Sequence, residues 1–401
     1  MAINRAMANR LDFIARHFPV VMVCGARQVG KTTLLKEFSK GRPMRYVTLD
    51  YPAVRELAKK DPELFLLQHK PPLIIDEIQY APELLPYIKI KADESGLPGQ
   101  YFLTGSQMFH SMKNVSESLA GRVAVLSLYS LSRREIAGEK SAPFSPDGLQ
   151  EPTPAGTDVF ASIYRGGMPR LVTEQELSSE DYFGSYVQTY LERDIRELVN
   201  IKNESAFLKF LSCVAARTAQ EVNLSDMAKD VGVDKKTVES WISILVTSGI
   251  VFLLRPYSGN TIKRIVKRPK LYFMDTGLCC YLSLWNNPRA LEVSAMAGAM
   301  FETFVVSEIV KGYANAGIEV KNRLCYYRDN NGREIDLMIL QNGKLYPIEI
   351  KKSADPGTDA LKNFSVLPSL GLEIAEGAVI CRAGSVLPLD EKNRIVPVEC
   401  L

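Results

Sequence analysis

Apolar and polar positions alternate with different periods along the chain. Residues 18–24 (FPVVMVC) form a short Val-rich run that stops at Gly25, and an amphipathic pattern, KTTLLKEFSK, begins at Lys31. This predicts a strand, a glycine loop and a helix. A second run, Leu73-Ile74-Ile75, follows Pro71-Pro72 and ends in Asp76-Glu77, as a buried parallel strand would deliver acids to the edge of its sheet. Tyr101-Phe102-Leu103 runs into Thr104-Gly105-Ser106-Gln107, and VAVLSL follows Ser118-Leu-Ala-Gly-Arg122. Both read as further strands.

Residues 139–157 hold four prolines and no apolar period, which marks a surface loop or linker. Beyond it, tyrosines and leucines of residues 181–198 recur at helical spacing. Residues 224–233 and 234–245 predict two helices joined by a turn at Gly232, with Asp234 capping the second. Val238, Trp241, Ile242 and Leu245 form the inner face of that second helix. GIVFLLRPYSGN and PKLYFMD then predict a hairpin, so the segment reads as a winged helix-turn-helix. Later, AMAGAMFETFVVSEIVKGY places Phe301, Phe304, Val305 and Ile309 on one helical face, with Glu302 near the start. Residues 333–340 alternate as a strand, an NGK turn follows, and residues 346–352, GAVICR and IVPVECL supply more sheet.

Length, at 401 residues, fits two to four domains, and 46% hydrophobic with 24% charged residues is an ordinary globular balance. Lys plus Arg number 49 against 46 Asp plus Glu, so the net charge of +3 announces neither nucleic acid nor membrane. Seven cysteines never spaced as CxxC argue against a zinc knuckle or a disulfide framework. His17, His69 and His110 show no ligand spacing. No signal-peptide or membrane-spanning run is present, which predicts a cytoplasmic protein.

The chemistry begins at GARQVGKT, which matches GxxxxGK[ST] from Gly25 to Thr32. Backbone amides of Gly25, Ala26, Arg27, Gln28, Val29, Gly30, Lys31, Thr32 and Thr33 would wrap the phosphates of ATP. Lys31 would reach the outer phosphates and Thr32 would ligate Mg2+. Asp76 would hold the Mg2+ shell, and Glu77 would orient or deprotonate the attacking water. Ser106 or Thr104 would sense the terminal phosphate. Arg122 either reaches phosphate in cis, acts in trans as an arginine finger, or simply ends a helix before an exposed turn.

GARQVGKTTLL, LIIDEIQ, LTGS and SLAGR, in this order and spacing, resemble the prokaryotic AAA-type ATPases that carry a C-terminal domain of unknown function. The resemblance covers nearly the whole chain. It implies an α/β fold: a P-loop NTPase (AAA-type) parallel sheet with a helical lid, then a winged helix-turn-helix, then an α/β restriction-endonuclease-like domain. The expected divisions are 1–140 for the ATPase core, 141–158 for the linker, 159–204 for the lid, 205–285 for the winged helix and 286–401 for the nuclease-like domain. A homo-oligomeric ring is implied by the resemblance alone. Arg165 or Arg170 would either touch nucleotide as a second sensor or act structurally.

Charge that the whole-chain balance conceals gathers on the hairpin, where Lys263, Arg264, Lys267, Arg268 and Lys270 fall within eight residues. With Lys235 and Lys236 facing outward, these would bind DNA phosphates; the alternatives are a solvated hairpin or a winged helix used for packing. In the last domain, Asp336, Glu349 and Lys351 with Glu302 resemble the PD-(D/E)xK nuclease core. There, carboxylates hold Mg2+ or Mn2+ and the lysine stabilises the attacking water. The same groups could instead persist as a structural ion-pair cluster. The sequence thus supports a Mg2+-dependent ATPase that couples turnover to DNA binding or remodelling. Its rivals are a nucleotide-gated DNA-binding or regulatory scaffold with an inert nuclease fold, and a metal-dependent DNA nuclease assisted by the ATPase.

Overall fold

Gly25, Asp76 and Thr104 lie at one edge of a five-stranded parallel sheet. This follows from the register of β1 (Val20–Cys24), β2 (Arg45–Thr48), β3 (Leu73–Asp76), β4 (Tyr101–Gly105) and β5 (Val123–Ser127), ordered β2-β3-β4-β1-β5. Cys24 pairs with both Gly105 and Ser127, Ile75 with Leu103, and Thr48 with Asp76, so all five strands end together. In this computed structural model the described residues are 3–105, 119–150, 152, 158–191, 204–258 and 268–401. Ser106, Lys263, Arg264, Lys267 and parts of the linker and lid segments lie outside them.

The chain forms two compact units. The first comprises Met1–Leu131 with Thr247–Ile250 and Ala314–Gly317; the second comprises Ser132–Val246, Val251–Tyr313 and Ile318–Leu401. In the first, β1, β3 and β4 are buried on both faces, which is why their sequences are continuous apolar runs without alternation. Helices begin where the sequence supplies a start. Gly30 adopts a left-handed conformation (φ 96°) before the helix Lys31–Ser39, and Asp61 caps Pro62–Gln68 by accepting from the Leu64 amide at 2.9 Å. Apolar faces of Leu84–Ser95 and Pro62–Gln68 join the strands in one core that includes Val20, Met22, Phe65, Ile75, Ile88 and Leu103.

The second unit opens with short helices, Arg133–Ala137, Val159–Arg165, Pro169–Thr173 and Ser179–Tyr186. After Glu204–Ala215 comes β6 (Gln220–Glu221), then helices Leu224–Val231 and Lys235–Thr247 joined through left-handed Gly232 (φ 84°). β7 (Val251–Leu254) and β8 (Lys270–Phe273) complete a three-stranded antiparallel sheet, β6-β8-β7. Val238, Trp241, Ile242 and Leu245 are buried as their spacing predicts, with the Trp241 ring 5.2 Å from Phe207 and 5.1 Å from Phe210.

The last part is a seven-stranded mixed sheet built from β9 (Leu324–Arg328), β10 (Glu334–Gln341), β11 (Lys344–Ile350), β12 (Glu373–Ile374), β13 (Gly377–Cys381), β14 (Leu387–Pro388) and β15 (Asn393–Pro397). Asn342 and Gly343, with φ of 53° and 77°, make the tight turn that sets β10 antiparallel to β11. The 19-residue helix Ala297–Asn315 buries Phe301, Phe304, Val305 and Ile309. Among the described residues no helix is long and apolar enough to cross a membrane.

Candidate functional site

Residues 25–30 link β1 to the helix Lys31–Ser39, and their conformation depends on glycine. Gly25 has φ 152°, and a Cβ there would stand 2.0 Å from the Leu128 carbonyl oxygen, so any side chain would collide with backbone. Gln28 and Gly30 are both left-handed, with φ of 61° and 96°. Ala26 and Val29 are buried, Arg27 is half-buried, and Gln28 and Thr33 are exposed.

Lys31 is 6% exposed, and its ammonium donates to the carbonyls of Gly25 at 3.0 Å and Ala26 at 2.9 Å. Among the described residues no carboxylate is within ion-pairing distance of it. Burial accordingly pulls its pKa below the ordinary lysine value, against the opposing pull of Glu77. A buried cation satisfied only by neutral carbonyls, at a helix N-terminus, is an incomplete site that an anion would complete.

Beside it, the Thr32 hydroxyl donates to both oxygens of Asp76, at 2.9 and 3.0 Å. Asp76 also accepts from Tyr46 Oη at 2.8 Å and from the Thr104 hydroxyl. Thr104, on the strand between β1 and β3, in turn accepts the Glu77 amide at 3.0 Å. Glu77 is itself left-handed (φ 58°, ψ 49°), an uncommon conformation for a residue with a side chain, and Gln79 Nε2 donates to its carboxylate. The expected Thr32, Asp76 and Glu77 thus converge. The hydroxyl and carboxylate oxygens of Thr32 and Asp76 are the hard donors Mg2+ prefers, so the residues fit that ion.

Thr104 thus touches the Asp76 carboxylate and the Glu77 backbone amide, while Ser106, the other residue expected to sense the terminal phosphate, lies outside the described residues. Tyr46 and Gln79 are additions that sequence reasoning missed. Tyr46 opens no motif, and its contact with Asp76 exists only because β2 and β3 are neighbours.

Arg122 lies at the other end of the sheet. Its carbonyl accepts from the Val20 amide at 3.2 Å, at the start of β1, whereas the glycine loop leaves from that strand's far end. Five residues of strand separate the two by about 16 Å. The reading of Arg122 as acting in cis is therefore corrected. Its guanidinium forms a two-pronged pair with Asp93, at 2.8 and 3.2 Å, on the helix Leu84–Ser95.

Arg165 donates to the carbonyls of Leu171, Glu174, Gln175 and Leu177, at 2.7 to 3.2 Å, which is a structural role. Arg170 pairs with Glu174 at 3.1 Å. Nearby, Asp275 accepts from the Gly167 amide at 2.9 Å and caps the helix Thr276–Leu282.

On the helix-turn-helix, Lys235, Lys236 and Arg268 are exposed. Lys270 is not available to DNA, a correction to the sequence reading. It is 3% exposed, and its ammonium pairs with Glu302 at 3.0 Å and Glu334 at 2.5 Å. As the first residue of β8 it alternates inward, and Tyr272, two residues on, donates to the same Glu302 at 2.7 Å.

The C-terminal carboxylates therefore meet an internal cation. Asp336 Oδ2 accepts the Ile350 amide at 2.9 Å, and Lys351 Nζ donates to Glu349 Oε1 at 2.6 Å. Glu349 Oε2 is buried with no hydrogen-bond partner. Desolvation and the neighbouring Asp336 push Glu302 up to about 7 and Glu349 up to about 8. Among the described residues, no three His, Cys, Asp or Glu side chains form a set that could hold a metal ion. Asp336 and Glu349 converge as expected, but Lys270 and Lys351 supply the cations.

Residues 17–137 match the model of the family described as an AAA domain. Residues 156–289 and 297–401 match two domains of unknown function, DUF8612 and DUF4143. Uncharacterized proteins of Mycobacterium bovis and Mycobacterium tuberculosis are each 28% identical over 400 residues, 99% of this chain and 84% of theirs. Among solved structures, the Walker-type ATPase of Pyrococcus abyssi is 15% identical, with a TM-score of 0.46 over 71% of this chain and 96% of that one. The RuvB Holliday junction branch migration motor of Thermotoga maritima is 21% identical, with a TM-score of 0.31 over 61% of this chain and 88% of that one.

Proposed function

We propose, on the match of residues 17–137 to the AAA domain family, that the protein binds ATP and hydrolyses it with Mg2+. The observation that carries the reading is the buried Lys31 ammonium, which donates to the Gly25 and Ala26 carbonyls and, among the described residues, pairs with no carboxylate. When a nucleotide enters, Lys31 exchanges the Gly25 and Ala26 carbonyls for the outer phosphate oxygens, and the loop amides take the remainder. Bound Mg2+ supplies neutralising charge to the phosphates, and Thr32 and Asp76 would hold it. Glu77 orients the attacking water and accepts its proton, while Gln79 and Thr104 fix the acid and its backbone. Arg122, at the far sheet edge, serves a neighbouring subunit of an oligomer in trans. Equilibrium titration with a fluorescent ATP analogue tests the binding step. Saturable binding that Lys31→Ala abolishes is expected, and indifference to that change would refute it.

For the second unit we propose a winged helix-turn-helix that contacts DNA phosphates, supported by the exposed Lys235, Lys236 and Arg268. The C-terminal sheet is proposed to be nuclease-like. Asp336 and Glu349, whose Oε2 is buried without a hydrogen-bond partner among the described residues, would be the two protein ligands of a divalent cation, with no third His, Cys, Asp or Glu among the described residues joining them. Stoichiometric Mn2+ binding by the nucleotide-free protein, lost in Asp336→Asn, is the expected result; its absence would leave the ion-pair cluster as the sole role.

A further inference from the structure

An N-terminal residue outside every motif holds the glycine loop. Arg5 Nη1 donates to the Val29 carbonyl at 2.6 Å, and Nη2 to the Tyr129 carbonyl at 2.8 Å. Val29 is 1% exposed and sits at the last bend before Gly30, while Tyr129 lies just beyond β5. The other side of the loop is already tied to that strand exit, since the Leu128 amide donates to the Cys24 carbonyl at 2.7 Å.

A loop that turns its amides inward toward phosphate must turn carbonyls outward, and a buried carbonyl needs a donor. Lys31 satisfies two of them now, but on the proposed function it leaves them for the nucleotide. Arg5 supplies two further donors to carbonyls around the loop. Its planar fork bridges two carbonyls in sequence segments 100 residues apart, which fixes the width of the loop mouth.

We propose that Arg5 is a positioning residue for nucleotide binding: it holds the phosphate-binding loop open in its receptive shape without touching the ligand. The proposal rests on the ATP-binding reading above. Removing the guanidinium lets the Val29 carbonyl turn inward, where it opposes phosphate charge.

The test measures the affinity of the full chain for a fluorescent ATP analogue in wild type, Arg5→Ala, Arg5→Lys and Lys31→Ala. Arg5→Ala is expected to weaken binding about tenfold, with partial recovery in Arg5→Lys and on addition of millimolar ethylguanidinium, since charge-assisted bonds are being replaced. Recovery by a free guanidinium is a response that a merely misfolded variant would not give. If Arg5→Ala does not fold, Arg5→Lys carries the test: affinity reduced but measurable supports the proposal. Wild-type affinity in either variant, within about twofold, or a loss that ethylguanidinium does not relieve, would overturn it. Failure of the wild type itself to bind would refute the ATP-binding reading instead.

Discussion

The hydroxyl of Thr32 bridges both carboxylate oxygens of Asp76, at 2.9 and 3.0 Å, joining the first turn of a helix to the end of a strand 44 residues away. This places two hard oxygen ligands together beside Lys31. Thr32→Val and Asp76→Asn should each lower Mg2+-dependent phosphate release on the order of a hundredfold or more. Nucleotide binding in EDTA should persist in both. Wild-type turnover in either variant would remove these residues from the metal shell.

The placement of Arg122 predicts complementation. Arg122→Ala and Glu77→Gln subunits are each expected to be nearly inactive alone, and a mixture should recover hydrolysis, because some interfaces then pair an intact Arg122 with an intact Glu77. Its bond to Asp93 must open for this, so Asp93→Ala should not mimic Arg122→Ala. Verified mixing without recovery would assign Arg122 to the Asp93 pair alone.

Much of this site was legible in the sequence because its chemistry is local. Glycines at 25 and 30 are demanded by backbone conformation, and Asp76-Glu77 ends an apolar run long enough to identify a buried strand. What escaped depends on which segments become neighbours. Tyr46 meets Asp76 through the β2-β3 pairing, and Arg5 meets Tyr129 across 124 residues. By spacing alone, Lys270 belongs with its sequence neighbours to one basic patch. Its strand position turns it inward onto Glu302 and Glu334, a partnership that no local spacing reveals.

Lys270→Met should therefore act on stability and leave DNA binding largely intact. Glu334 would keep its pair with Arg328 at 3.2 Å, but the buried Glu302 would lose its cation and keep only the Tyr272 hydroxyl, at a cost of roughly 3 to 5 kcal/mol. Lys235→Ala and Lys236→Ala should show the opposite pattern: unchanged thermal midpoints, with the slope of log affinity for duplex DNA against log salt reduced by about one each. A Lys270 variant of normal stability with a reduced salt slope would reinstate it as a phosphate contact.

The raised carboxyls predict a pH dependence. Glu302 at about 7 and Glu349 at about 8 hold protons in the native state that the unfolded chain releases near the ordinary glutamate value of 4.5. The native state then binds more protons across that interval, so stability is greatest below it and falls as pH rises through the native values. Both tryptophans, Trp241 and Trp285, lie in the second unit, so their fluorescence reports its unfolding. The midpoint should decline from about pH 5 to about pH 8, less steeply in Glu349→Gln. A flat or rising profile would contradict the desolvated cluster.

In the proposed function the buried Lys31 ammonium and the Asp76-Glu77 pair form one ATP-hydrolysing site. Phosphate release by the purified full chain with ATP and Mg2+ tests it most directly, with Lys31→Ala and Glu77→Gln measured alongside and nucleotide retention followed in each. The expected result is turnover by the wild type, no binding and no turnover by Lys31→Ala, and retained ATP without turnover by Glu77→Gln. Equal phosphate release by all three, or none by the wild type with and without DNA, would contradict it.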